Sequence, residues 1–174
     1  MAYIDFHPTI HAMGDEACAA AIIEGTITEF EDVSLNEPGD YAFYGIEGLT
    51  SVDLLDLGRG YAMSKIGISR FVAGPKCYYI NGATFADCAN LTEVVLLGGL
   101  NGGCVSLQNT NAFMGTPIAD GTGYFYAPKK LGKVGDGIAA YEAATNWSVF
   151  AGQFRYIEDN PEIFALVKER YPWY

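Results

Sequence analysis

Thr84-Phe85-Ala86-Asp87-Cys88-Ala89-Asn90-Leu91-Thr92-Glu93-Val94-Val95-Leu96-Leu97 decides how this chain is read, because it occurs twice. Forty-two residues earlier stands Ala42-Phe43-Tyr44-Gly45-Ile46-Glu47-Gly48-Leu49-Thr50-Ser51-Val52-Asp53-Leu54-Leu55, with Phe, Leu, Thr, Val, Leu and Leu at matching positions. A repeated unit cannot bury its apolar side alone, so the copies are expected to stack. Within each copy, Leu-x-x-Val-x-Leu alternates as a short strand does when one face lies on a shared core. Ile46 stands where the other copy has Cys88, which makes Cys88 a small buried hydrophobe rather than a ligand. Asp53, with Glu47 and Asp56, then falls on the solvent side.

Outward from the repeat, residues 65–72 and 77–80 read as further strand segments. The period is then expected to hold two turns of about 21 residues, within the range of leucine-rich repeats. Gly98-Gly99-Leu100-Asn101-Gly102-Gly103 has no Gly-Lys-Ser/Thr and no helix pattern behind it, so it reads as a turn and not as a phosphate loop. A short strand is expected at 104–107. Ala112-Phe113 repeats the Ala-Phe signature once more, without the leucines, and residues 122–128 read as a last strand. Ile138, Tyr141, Ala144, Trp147, Phe150 and Phe154 follow at steps of three or four, the helical stripe that seals a core. Asn146, before Trp147, is a candidate cap of a second helical segment within it. At the other end, residues 16–22 read as a helix closed by Gly25 and residues 26–29 as the first strand. Pro161 opens a final helix with Ile163, Phe164, Leu166 and Val167 on its apolar face.

Composition narrows the function classes. The chain has 174 residues, half of them hydrophobic, with 10 basic and 21 acidic side chains and a net charge of −11. That length suits one domain, and so acidic a surface opposes binding to phosphate backbones. No apolar run reaches the roughly 18 residues of a membrane span. The opening Met-Ala-Tyr-Ile-Asp-Phe-His-Pro shows no secretory signal. Cys18, Cys77, Cys88 and Cys104 have no metal-binding spacing and are expected to be free thiols. His7 and His11 are four apart, but Pro8 lies between them and no third ligand stands nearby. Without a Gly-x-Ser-x-Gly elbow, a His-Glu-x-x-His motif or a phosphate loop, no catalytic residue, metal or cofactor is expected.

The repeat pair, read with three further segments, resembles the BspA-like (Treponema-type) leucine-rich repeat family. Residues 111–118, 121–128 and 140–148, which include Asn-Ala-Phe-Met-Gly-Thr-Pro and Ala-Tyr-Glu-Ala-Ala-Thr-Asn-Trp-Ser, are similar to that family's terminal module. Ala21-Ile22-Ile23-Glu24-Gly25-Thr26-Ile27-Thr28-Glu29-Phe30 is similar to its entry strand. The resemblance covers residues 15–158. It implies an α+β repeat: a short leucine-rich-repeat β-solenoid with helical N- and C-terminal caps. The expected layout is an N-terminal arm (1–14), the solenoid with its terminal cap module (15–158) and a C-terminal helix and tail (159–174).

The family's members are non-catalytic surface proteins, including adhesins and phage structural proteins. The resemblance therefore implies a structural or interaction protein, first a phage virion component such as a head or tail accessory or fibre protein. The alternatives are a bacterial cell-surface or secreted adhesin and a carbohydrate-binding module using Tyr44, Tyr61, Tyr78 or Tyr79. The last would need these tyrosines exposed, whereas stacked turns would pack them away. The partners expected are other virion proteins, copies of itself in a homo-oligomer, or a host surface. This chain departs from the family by an insertion at 129–137 with Lys129, Lys130 and Lys133, which reads either as a loop without a partner or as a contact for an acidic neighbour. Tyr171, Trp173 and Tyr174 at the chain's end read either as folding back on the cap or as docking on another subunit.

Overall fold

The computed structural model describes residues 29–32, 44–45, 51–54, 61–75, 77–98 and 102–174, with residues 29–32 and 51–54 as backbone only. The helix expected at 16–22, both histidines, Cys18, Glu47, Asp56 and the Asp53 side chain lie outside the described residues.

Three sequence runs, Arg70-Phe71-Val72-Ala73, Glu93-Val94-Val95-Leu96 and Tyr124-Phe125-Tyr126-Ala127, are apolar on alternate and intervening positions alike. Strands of that kind are buried on both faces, as parallel strands usually are. They form β3 (Arg70–Ala73), β5 (Glu93–Leu96) and β7 (Tyr124–Ala127), and β8 (Phe154–Tyr156) joins them in one parallel sheet of order β3-β5-β7-β8. Pairing runs Phe71↔Val94, Val94↔Phe125 and Phe125↔Phe154, so like residues stack in file. β1 (Glu29–Asp32) and β2 (Ser51–Leu54) pair in parallel, and β2 lies beside β3. A second small pair, β4 (Tyr79–Ile80) with β6 (Ser106–Leu107), is also parallel.

Three turns, carrying Ala62-Met63, Thr84-Phe85 and Ala112-Phe113, build a third side. Turns centred on Met63, Phe85 and Phe113 stack through main-chain bonds from Met63 N–H to Thr84 O (3.1 Å), Lys65 N–H to Ala86 O (2.9 Å), Phe85 N–H to Ala112 O (2.8 Å) and Asp87 N–H to Met114 O (2.8 Å). Each turn drives its apolar middle residue inward, and Met63, Phe85 and Phe113 are fully buried. The Phe85 ring lies 4.9 Å from Phe71 and 5.6 Å from Phe113, and Phe113 meets Phe125 edge-on at 5.3 Å. Each such ring removed from water contributes about 1.5–3 kcal/mol, and suitably tilted pairs add about 0.5–1.5 kcal/mol.

The outer face of the sheet carries a second core. Val72, Val95 and Tyr126 point away from the first core and are covered by Ile157 and by Ile163 and Val167 of α2 (Pro161–Arg170), with Tyr171 and Tyr174 packed alongside. Pro161 stands at the first position of α2, as the sequence indicates.

The leucine-rich-repeat β-solenoid with helical N- and C-terminal caps is not what the structure shows. Among the described residues the fold is a small four-stranded parallel sheet with two two-stranded parallel pairs, β1-β2 and β4-β6, and only two α-helices. The equal turns of about 21 residues expected from the repeat are absent: paired positions are 23, 31 and 29 residues apart from β3 to β8. The stripe from Ile138 to Phe154 is not one helix. It divides into α1 (Gly137–Ala143), a 3-10 turn (Trp147–Phe150) and β8. The first helix has already ended at Ala144, which is extended (φ −78°, ψ 147°), and Asn146, left-handed at φ 65°, makes no side-chain capping bond to the 3-10 turn that follows. Its side-chain amide instead donates to Leu107 O (2.8 Å) and Gln108 O (3.0 Å). The last strand is therefore β8 and not 122–128. The first strand among the described residues is Glu29–Asp32, which shares Glu29 with the strand expected at 26–29; residues 26–28 lie outside the described residues.

Side chains close the end where a capping helix was expected. Trp147 Nε1 donates to Val105 O at 2.7 Å, and Val105 N–H donates to the Tyr141 hydroxyl at 3.1 Å. Both main-chain groups of one buried residue are thus satisfied where, among the described residues, no further strand joins the β4-β6 pair.

Candidate interaction surfaces

The tail carries three aromatics, Tyr171, Trp173 and Tyr174, directly after a helix that lies on the sheet. Arg70 fixes that helix. Its Nε and a terminal nitrogen reach one oxygen of Glu93 at 2.6 and 2.5 Å, and the same terminal nitrogen reaches Glu162 of α2 at 2.7 Å. The other Glu93 oxygen accepts from the Tyr126 hydroxyl at 3.1 Å. Burial, and then the Glu93 charge, push the Tyr126 hydroxyl up to about 12. Tyr171 lies so close to the backbone that a side chain at Gly74 would sit 2.6 Å from its hydroxyl. The Tyr174 hydroxyl donates to Glu158 at 3.5 Å, and Lys168 Nζ donates to the Tyr174 main-chain oxygen. Of the two readings open for these aromatics, folding back describes Tyr171 and Tyr174. Trp173 does not fold back. It is 67% exposed, with its ring 5.8 Å from that of Tyr171.

The insertion at 129–137 is anchored at both ends. Leu131 is buried and bridges to Gly135, and Gly132 packs directly on the Gly102 backbone, where a β-carbon would collide. Asp136 then caps α1 by accepting from Ala139 N–H at 2.9 Å. That bond first, and one from Tyr156 second, hold its carboxyl below the usual range. Lys129 pairs with Asp159 at 2.5 Å, its main-chain N–H donates to Glu158, and its ammonium lies 5.7 Å from the Tyr156 ring centroid. Lys130 and Lys133 are exposed. Of the three lysines, those two are presented outward and Lys129 is engaged within the chain.

The stacked turns form a surface that the sequence reading missed. Residues Gly45, Lys65, Asp87 and Gly115 occupy one file, each with φ between 59° and 75°. Left-handed backbone is natural for glycine and costs a lysine about 1 kcal/mol or more. Lys65 and Asp87 flank a shallow pocket of about 400 Å³ lined also by Ile66, Gly67, Ala89 and Asn90. Lys65 Nζ lies 5.2 Å from the Tyr44 ring centroid, and a hydrogen bond to Tyr44 raises its pKa. Tyr44, Tyr61 and Tyr78 are each more than a third exposed, and Tyr79 is partly buried. The legible signal was a spacing: Tyr61-Ala62-Met63-Ser64-Lys65 aligns with Ala83-Thr84-Phe85-Ala86-Asp87 once Met is allowed for Phe.

Cys88 is buried as the repeat implied, and its thiol donates to Met63 O at 3.0 Å. Burial pushes that thiol up to about 11, away from reactivity at neutral pH. Cys77, Cys88 and Cys104 are thiols and form no disulfide. Among the described residues, no group of three or more His, Cys, Asp and Glu is placed to hold a metal, and no helix is long and apolar enough to cross a membrane. No family model, curated protein or solved structure was found to match the chain.

Proposed function

We infer that this chain is a non-catalytic structural or interaction protein, and in its most specific form a virion component of a phage, a head or tail accessory or fibre protein. The observation that carries the interaction reading is Trp173, exposed on a tail whose neighbours Tyr171 and Tyr174 are themselves packed down. A large aromatic held on an ordered support loses little conformational freedom on binding, which is why tryptophan dominates so many interfaces. The phage reading comes from the resemblance of residues 111–148 to a terminal module found in such proteins. The test is sedimentation of the purified protein with particles that lack it. Binding to the particles, weakened about 30-fold by Trp173→Ala, supports the reading at the roughly 2 kcal/mol of a binding hot spot. A protein that stays in the soluble fraction removes it.

A second reading, carbohydrate binding, is favoured by the pocket between Lys65 and Asp87. It offers a carboxylate and the Asn90 amide beside an exposed Tyr44. Polar groups converging on a concavity, held by left-handed backbone where glycine would be relaxed, are what a small polar ligand requires. A glycan array without hits eliminates it.

A further inference from the structure

The open edge of the main sheet carries a consequence for assembly. In a parallel ladder successive residues direct their main-chain groups to opposite sides. Phe125 N–H donates to Gln153 O at 3.1 Å, so Gln153 and Arg155 face β7, while Gly152, Phe154 and Tyr156 present their carbonyls to the far side. No described strand pairs there. An unpaired row of this kind is a template for strand addition by another chain.

Each of the three carbonyls is nevertheless occupied. The Arg155 guanidinium donates to Gly152 O at 2.9 Å and to Phe154 O at 2.7 Å. The Asn160 amide donates to Tyr156 O at 2.7 Å. Glu142 reaches the same edge from α1, accepting from Gly152 N–H at 2.9 Å. Two details set these bonds apart from ordinary surface contacts. Arg155 is braced over Tyr124, with its guanidinium carbon 4.4 Å from the ring centroid. Asn160 stands at the cap position of α2, where asparagine ordinarily accepts a bond from the helix's own N–H groups. It makes no such bond, and its amide is turned back to the sheet edge instead.

We propose that Arg155 and Asn160 are gatekeepers that hold the β8 edge closed to a second copy of this chain, so that copies do not join head to tail through main-chain pairing. A head-to-tail contact of that kind grows into filaments wherever its rotation does not close a ring, so a protein that binds elsewhere gains from blocking it. The proposal is independent of the phage reading and of Trp173.

The test is the double variant Arg155→Met with Asn160→Asp. Methionine keeps an apolar chain over Tyr124, and aspartate remains a good helix cap but has no amide hydrogen to donate. Sedimentation velocity and amide hydrogen exchange are followed across a wide concentration range. The expected result is a variant whose sedimentation coefficient rises with concentration while exchange at the Phe154 and Tyr156 amides slows at least about tenfold. In the parent protein those two amides exchange at rates independent of concentration. Self-association without slowing at these amides, no association, or concentration-dependent slowing in the parent overturns the proposal. If circular dichroism shows that the double variant fails to fold, Asn160→Asp alone is read at the Tyr156 amide, with the same two outcomes.

Discussion

Replacing Tyr141 by phenylalanine removes one oxygen atom and tests how the C-terminal end is closed. Tyr141 is fully buried, its ring stacked on Phe154 at 5.6 Å and edge-on to Trp147 at 5.3 Å. Phenylalanine keeps both ring contacts. What it loses is the acceptor for Val105 N–H, in a place where Val105 is itself wholly buried and no strand offers another carbonyl. Leaving a buried N–H unsatisfied costs about 1–3 kcal/mol. In a chain of this size that lowers Tm by about 2–4 °C per kcal/mol. Urea unfolding should show a lower midpoint with an unchanged slope, because the surface exposed on unfolding is the same, and the Val105 amide should exchange faster. Burial also raises the Tyr141 pKa. The native state therefore holds this proton more tightly than the unfolded chain, whose tyrosine ionises near about pH 10. That contribution is fully present below about pH 10 and is lost as pH rises, so Tyr141→Phe should flatten the alkaline decline in stability. An unchanged midpoint together with an unchanged Val105 exchange rate would refute the reasoning.

Three more outcomes follow from neighbouring features. Tyr126, raised to about 12, contributes stability that falls as pH climbs from about 10 towards that value; Tyr126→Phe should reduce the slope of a stability-against-pH titration in this window, and an unaltered slope contradicts the assignment. Gly137→Ala improves helix propensity by up to about 1 kcal/mol, yet its new methyl group would collide with the Pro128 carbonyl oxygen. The collision should win, leaving the variant less stable by about 1–3 kcal/mol in chemical denaturation. In native alkylation followed by mass spectrometry, Cys104, which is half-buried, should be modified well before Cys88; equal rates would contradict the burial of Cys88.

Much of the strand content was legible because apolar side chains announce it. Leu-x-x-Val-x-Leu located β2 and β5, and the Ala-Phe signature marked turns that do stack. Cys77 to Ile80 and Cys104 to Leu107 read correctly as strand segments, of which Tyr79–Ile80 and Ser106–Leu107 pair. What failed was the meaning of a three-to-four-residue stripe. Trp147, Phe150 and Phe154 satisfy helical spacing, but a 3-10 turn followed by a strand places the same side chains in the same core. The left-handed Asn146 just before the 3-10 turn has no distinctive sequence, since asparagine is also a good helix cap. The sealing of the outer sheet face by α2 was illegible for a different reason. A sequence shows that Ile163 and Val167 need burial, and it does not show against which surface. Of the residues singled out for partner contact, Tyr171 and Tyr174 pack within the chain, Lys129 is exposed but paired with Asp159, and Lys130, Lys133 and Trp173 are exposed.

The central claim, that this chain works as a part of a virion, is tested most directly by counting it there. Quantitative mass spectrometry of gradient-purified phage particles should find its peptides at a fixed ratio to the major structural proteins, unchanged by washing in high salt. Peptides confined to the infected-cell supernatant, or lost in proportion to washing, would contradict the account.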